Sequence, residues 1–190
     1  PIPYRGSFIQ WIREVIAHRR GGVQNPTAAH RSVVDAATKM AQTGTGQAFD
    51  IVSTCKASDY PELRGLQLHP FNEIISINGE RWKQTQHAAQ TFHEEFLQRD
   101  SARSQFLGTS PHAPYTMCPS RLREQLRSPL YINQPIAMHL AESLEEMQWL
   151  DTGAGPVADL IAEHADNEFK SNLFSSIENV LDCLSIAPKV

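Results

Sequence analysis

The sequence has little cysteine and no pair of cysteines at ligand spacing. Its three cysteines, Cys55, Cys118 and Cys183, are widely separated and odd in number. That argues against a disulfide framework and leaves no Cys-x-x-Cys metal site. No apolar run approaches the roughly 18 residues of a membrane-spanning helix, so no membrane partner is expected. Like charges are not clustered, and a net charge of -4 gives no reason to expect nucleic acid. No basic segment followed by an apolar run marks a leader peptide. No Gly-x-Gly-x-x-Gly follows a strand pattern, which disfavours a dinucleotide-binding sheet. The expected setting is reducing and cytoplasmic. An initiator Met is also absent. The chain opens Pro1-Ile2-Pro3 and closes Ala187-Pro188-Lys189-Val190, which reads as the interior of a longer protein.

What is present is an ordinary globular composition. The 190 residues are 41% hydrophobic and 20% charged, enough for one domain over 1–190 with a sizeable core. Ser7 can cap a helix through Trp11 to His18, ended by Gly21-Gly22. Asn25-Pro26-Thr27 opens a second, with Ala28, Val33, Val34, Ala37 and Met40 inward. Ala48 to Val52 reads as a short buried strand. Leu66 to Leu68 and Asn72 to Ile77 supply further strand material, and Arg81 to Gln98 a long helix. Ser104 to Gly108 reads as a strand, followed by a proline-rich loop from Ser110 to Pro119. A short helix over Ser120 to Leu126, a strand over Pro135 to Leu140, and helices near 144–150, 157–165 and 176–184 complete the pattern. Strands alternate with helices, and no hairpin signal such as Asn-Gly lies between adjacent strands. That argues for parallel βα units in an open doubly wound sheet or a closed barrel. A complete eight-stranded barrel takes about 250 residues; four or five strands make roughly half of one.

In a parallel α/β fold the chemistry sits at the C-terminal ends of strands. Two places qualify. In Met138-His139-Leu140-Ala141-Glu142-Ser143, His139 ends a strand and Glu142 lies just beyond it. Imidazole is the commonest side-chain metal ligand, and a nearby carboxylate can move a water proton without binding the metal. The alternative is structural. Glu142, Glu145 and Glu146 then serve only the N-terminal end of a helix dipole, and His139 is a half-buried, hydrogen-bonded histidine. In Gly108-Thr109-Ser110-Pro111-His112-Ala113-Pro114-Tyr115-Thr116, two prolines frame His112 and fix the loop's shape. Such a loop presents an imidazole at little entropic cost, or is a plain turn with an incidental histidine. His69 beside Pro70 is a remoter pocket candidate. His18, His30, His87, His93 and His164 fall within helices.

Ser-Pro-His-Ala-Pro-Tyr-Thr over 110–116 and His-Leu-Ala-Glu over 139–142 resemble, in that order, two motifs of the amidohydrolase superfamily, in its branch of deaminases and chlorohydrolases. Asp50-Ile51-Val52-Ser53 and Phe71-Asn72-Glu73 resemble earlier strands of the same branch. The resemblance implies an α/β fold that is part of a (β/α)8 TIM-type barrel, about strands 2 to 5 with their helices. It implies one divalent metal, usually zinc, with iron or manganese as alternatives. His139 then matches a metal ligand, Glu142 the acid/base that handles the water's proton, and His112 a substrate-binding histidine. Glu73 matches a residue lining the pocket. The implied reaction is hydrolysis of a carbon-nitrogen or carbon-chlorine bond on a small ring substrate. A homodimer is reasonable on the same ground.

The chain departs from that family in one large respect. The family takes two ligands from a His-x-His after the first strand, and no His-x-His occurs here. Two further ligands belong after strands that would follow Val190. A catalytic zinc normally has three protein ligands plus water, and only His139 is assigned. A truncated, non-catalytic barrel remnant is therefore the alternative. A third reading, an unrelated open α/β binding domain, predicts no affinity for zinc.

Overall fold

Three short segments, the second and third of them mostly buried, pair here as parallel neighbours, in the order in which they occur. The computed structural model describes residues 2–21, 26–53, 56–62, 65–99 and 106–187. Helices α1 (Phe8–Gly21) and α2 (Pro26–Gln42) precede strand β1 (Gln47–Val52). Strand β2 (Gln67–Ile74), helix α3 (Gly79–Phe96), strand β3 (Gly108–Pro111) and helix α4 (Pro119–Arg127) follow. Helices α5 (Leu144–Thr152), α6 (Pro156–His164), α7 (Asn167–Lys170) and α8 (Ile177–Leu184) close the chain. The sheet order is β1-β2-β3, all parallel. Pro135–His139 lies along β3 as a rudimentary fourth strand. Thr109 N–H donates to the Pro135 carbonyl at 3.1 Å, and Ala137 N–H to the Thr109 carbonyl at 3.1 Å. The regular ladder stops there because Pro111, next on that side of β3, has no N–H to donate.

Two strand expectations need correcting. The material on either side of His69-Pro70 is one strand: β2 runs unbroken through Pro70, which lies in register with Asp50. Pairing with β1 on one side overrides the local penalty of one proline, and β3 joins the other side only from Phe71 onward. The expected strand at Ser104 to Gly108 begins only at Gly108 and takes in Ser110 and Pro111. Ser104 and Gln105 lie outside the described residues, as do Cys55 and the Asn25 expected to open α2.

One face of the sheet carries Phe49 and Ile51 of β1, His69, Phe71 and Glu73 of β2, and Gly108 and Ser110 of β3, aligned in rows by the register. The close packing of these rows needs a glycine at 108. A Cβ there would fall 2.5 Å from the Phe71 ring. Gly108→Ala is expected to cost about 1–3 kcal/mol through overpacking, measurable as a shift of the urea midpoint at unchanged slope.

The other face packs against α3. Trp82, Ala89, Phe92 and Phe96 are buried along one side of that helix. Asn78 caps it by accepting the Arg81 N–H at 2.8 Å. Tyr60, Phe92 and Phe96 form one aromatic cluster with centroid separations of 5.5–5.9 Å. Among the side chains described in α2, Ala37 is buried, while Val33 and Met40, expected inward, are exposed; Ala28 lies outside the described side chains. The loop after β2 is tied to the later helices by Asp166. Its carboxylate accepts N–H bonds from Gly79 at 2.7 Å and from Phe169 at 2.8 Å. Burial acts to raise the Asp166 pKa, but these bonds and Arg121 outweigh it and hold the group below the ordinary range. A depressed carboxyl stabilises the fold above its unfolded pKa and loses that contribution as pH falls through its folded pKa. Asp166→Ala is therefore expected to cost about 1 kcal/mol at pH 7 and progressively less below about pH 4, as urea melts at both pH values would show.

Candidate active site

The C-terminal ends of β2, β3 and the fourth strand come together. Hydrogen bonds continue past the strands to set this end: His112 N–H donates to the Ile74 carbonyl at 3.0 Å, and His139 N–H to the His112 carbonyl at 2.9 Å. The backbone thus brings His112 and His139, 27 residues apart, side by side, with ring centroids 5.3 Å apart at an interplanar angle of 70°. Glu73, near the end of β2, places Oε1 3.9 Å from His112 Nε2. Glu142 follows His139 by three residues, after Ala141 has turned the chain with φ of 57°.

His112 is fixed on both sides. Its Nδ1 lies 2.8 Å from Thr116 Oγ1, and its ring meets Tyr115 edge-on at 5.7 Å. Burial lowers its pKa, the Glu73 carboxylate opposes that, and the neighbouring His139 adds to it. The ring is neutral near pH 7. A carboxylate is a better neighbour for an N–H than for a lone pair. A proton on Nε2 requires the single Thr116 hydroxyl proton to go to Nδ1; a hydroxyl that donates to the Ala113 carbonyl, 3.2 Å away, instead accepts from Nδ1–H and leaves a lone pair on Nε2. His112 presents Nε2 of a neutral imidazole beside Glu73.

The three carboxylates after His139 divide their work. Ser143 caps the start of α5, and Glu146 reaches back to the residue before that cap, a variant of the capping box. Ser143 Oγ accepts the Glu146 N–H at 3.1 Å, and Glu146 Oε2 accepts the Glu142 N–H at 2.7 Å. Glu146 is fully buried, and burial pushes its carboxyl up against the pull of that N–H. Glu145 reaches across to α1, accepting Ser7 Oγ–H at 2.8 Å and Ile9 N–H at 2.7 Å. Glu142 itself precedes the helix and accepts the Tyr115 phenol on Oε2 at 2.9 Å. Tyr115 is buried, and burial together with the Glu142 charge drives its pKa far above the ordinary tyrosine value. It stays a donor.

His69 does not join this group. It lies four residues before Glu73 on the same face of β2, about 13 Å down the strand. It is buried between Phe49 and Phe106, each at a centroid distance of 5.0 Å, and its Nδ1 accepts the Phe106 N–H. The pattern read from the sequence missed Tyr115 and Glu146. The signal for Glu146 was there, as Ser143-x-x-Glu146.

An arrangement of imidazoles and carboxylates at the C-terminal end of parallel strands is a place for hydrolytic chemistry, and comparison with known proteins agrees. No protein-family model matches the chain. An aminodeoxyfutalosine deaminase of Deinococcus radiodurans is 29% identical over 155 residues, which is 80% of this chain and 35% of that protein. The chain resembles hydrolytic deaminases of the amidohydrolase kind. The crystal structure of Helicobacter pylori aminofutalosine deaminase superposes with a TM-score of 0.62 at 19% identity, covering 94% of this chain and 42% of that one. At that identity the likeness is one of fold. The chain spans well under half the length of both relatives.

Deaminases of this kind generally use a divalent metal. A catalytic metal needs about three protein ligands and an open position. Among the described residues no group of three or more His, Cys, Asp and Glu side chains is placed to hold one. These residues by themselves do not fit a complete metal centre. Among the described residues, too, no helix is long and apolar enough to cross a membrane.

Proposed function

We propose that this chain is the central part of a hydrolase that replaces an amino group on a small ring substrate by oxygen from water, within a (β/α)8 barrel of which it supplies about strands 2 to 5. The observation that carries the proposal is the convergence of His112, His139, Glu73 and Glu142 at one end of consecutive parallel strands. The strictly sequential strand order, without a reversal, suits a barrel better than a doubly wound sheet. The exposed Phe49, on the Glu73 face of the sheet, suits a barrel interior filled by further strands.

Glu142 acts as the general base that takes a proton from water as its oxygen bonds to the ring carbon. His112, in the tautomer with its proton on Nε2 and Thr116 donating to Nδ1, donates to the ring heteroatom that gains charge in the tetrahedral intermediate. Glu142 returns a proton to the amino group, the carbon-nitrogen bond breaks, and ammonia leaves. Glu73 lies where it would bear on the same heteroatom or on His112. His139 is placed to give one ligand to a divalent metal, with zinc, iron and manganese as candidates, whose other ligands lie outside the described residues.

Both similar proteins are named as deaminases, which favours carbon-nitrogen over carbon-chlorine cleavage and an enzyme over a non-catalytic remnant. Aminofutalosine and aminodeoxyfutalosine are the first substrates to try, then amino- and chloro-substituted purines and triazines, with ammonia and chloride as readouts. In the longer protein that carries the whole barrel, which is the parent for every rate measured below, the proposal expects ammonia from the amino compounds, lost on chelation and restored by zinc. The 190 residues alone are expected to be inactive. Chloride alone, or ammonia release indifferent to chelation, would overturn it.

A further inference from the structure

Two contacts that the proposed reaction does not itself use converge on Glu142. Its carboxylate is held from one side by the Tyr115 phenol at 2.9 Å. Its backbone is held from the other by Glu146, whose Oε2 takes the Glu142 N–H at 2.7 Å. The residue between His139 and this clamp, Ala141, sits in the left-handed region at φ 57°, which a non-glycine residue adopts at a cost and keeps only where its surroundings hold it. Both holding groups are buried: Tyr115 is 1% exposed and Glu146 0%. The Tyr115 ring is wedged between His112, edge-on at 5.7 Å, and Phe8 of α1, edge-on at 6.4 Å. The other end of the same motif, Thr116, fixes His112. One short stretch, 112–116, therefore holds the orientation of both groups that the proposed reaction needs.

We infer that Tyr115 is a positioning residue for Glu142, aiming its carboxylate at the reacting atoms, with Glu146 as the backbone anchor of the same clamp. The inference rests on the deaminase reading for its kinetic consequence, though not for its structural one. A free glutamate side chain samples several rotamers, and a general base must lie within hydrogen-bond reach of the proton it takes. The phenol selects one rotamer. A misplacement of about 1 Å in such a group can cost on the order of 10²-fold in rate.

The test is Tyr115→Phe in the full chain, which keeps the ring between His112 and Phe8 and removes only the donor. Three-bond couplings and carbon relaxation at the Glu142 side chain, assigned by Glu142→Gln, report its rotamer without any need for activity. A single rotamer in the parent and averaging in Tyr115→Phe is the expected result. An unchanged single rotamer would overturn the inference. Where the parent releases ammonia, Tyr115→Phe is expected to lower kcat about 10- to 100-fold with KM within about twofold. A tyrosine with a merely structural role would lower the melting temperature and leave both the rotamer and kcat alone. Glu146→Ala, which spares the phenol, is expected to give averaging and a kcat loss of the same sign. Absence of ammonia release from the parent would sink the deaminase reading, and the rotamer measurement would still decide the clamp.

Discussion

Glu142→Gln is expected to lower the rate of ammonia release by about 10²- to 10⁴-fold, the usual contribution of a positioned acid/base. The size of the effect follows from the two proton transfers asked of one carboxylate. Glutamine can do neither, because its amide neither takes the water proton nor gives one back to the leaving amine. The fold is expected to tolerate the change. Glu142 is exposed and lies ahead of α5, outside its hydrogen-bond ladder. The amide oxygen can still accept the Tyr115 phenol, and the backbone N–H that Glu146 holds is untouched. A parent-like urea midpoint together with the lost rate would separate chemistry from stability. The loss should fall on kcat with KM little changed, since the carboxylate acts on the proton more than on the bound ring.

His112→Asn is expected to lower kcat by about 10²- to 10³-fold, as for removal of one donor to a developing charge. Burial keeps the imidazole neutral, and in the tautomer the reaction needs, the Thr116 hydroxyl donates to Nδ1 and leaves Nε2–H free to donate. Asparagine is shorter and cannot place a donor at the Nε2 position. The expected loss appears in kcat and in kcat/KM alike, the pattern for an interaction made only in the transition state. A rise in KM at constant kcat would instead mean that His112 merely binds the ground state, as the resemblance alone would allow. Steady-state kinetics on one substrate distinguishes the two.

How much of this was legible in the sequence differs from residue to residue. His112 and His139 were readable because each follows a strand-like run, and parallel strands put consecutive C-terminal ends side by side. The unbroken β2 was not, because Pro70 looks like a break when judged locally. What carries the strand through it is the pairing with β1, which runs in register from Gln67 to Asn72, with β3 joining from Phe71. The fourth strand was legible as a run but is thinner in the structure than the run suggests, because Pro111 withdraws a donor from the facing strand. The apolar stripe of α2 predicted burial for Val33 and Met40. Periodicity marks a face that can be buried but not the element that would cover it, and both are exposed. Glu145 and Glu146 both looked like generic acids at a helix start. Their different partners, the N-terminal end of α1 for one and the Glu142 backbone for the other, are fixed only by tertiary packing. The phenol of Tyr115 meeting a carboxylate 27 residues away has no local signature at all.

The most direct test of the central claim is hydrolysis of an amino-substituted ring substrate in water enriched in oxygen-18, with the parent and Glu142→Gln compared. The account predicts ammonia from the parent, one atom of heavy oxygen in the product at the carbon that bore the amino group, and at least a hundredfold less of both from the variant. Ammonia from the variant at the parent's rate would contradict it. So would a parent product without the heavy label.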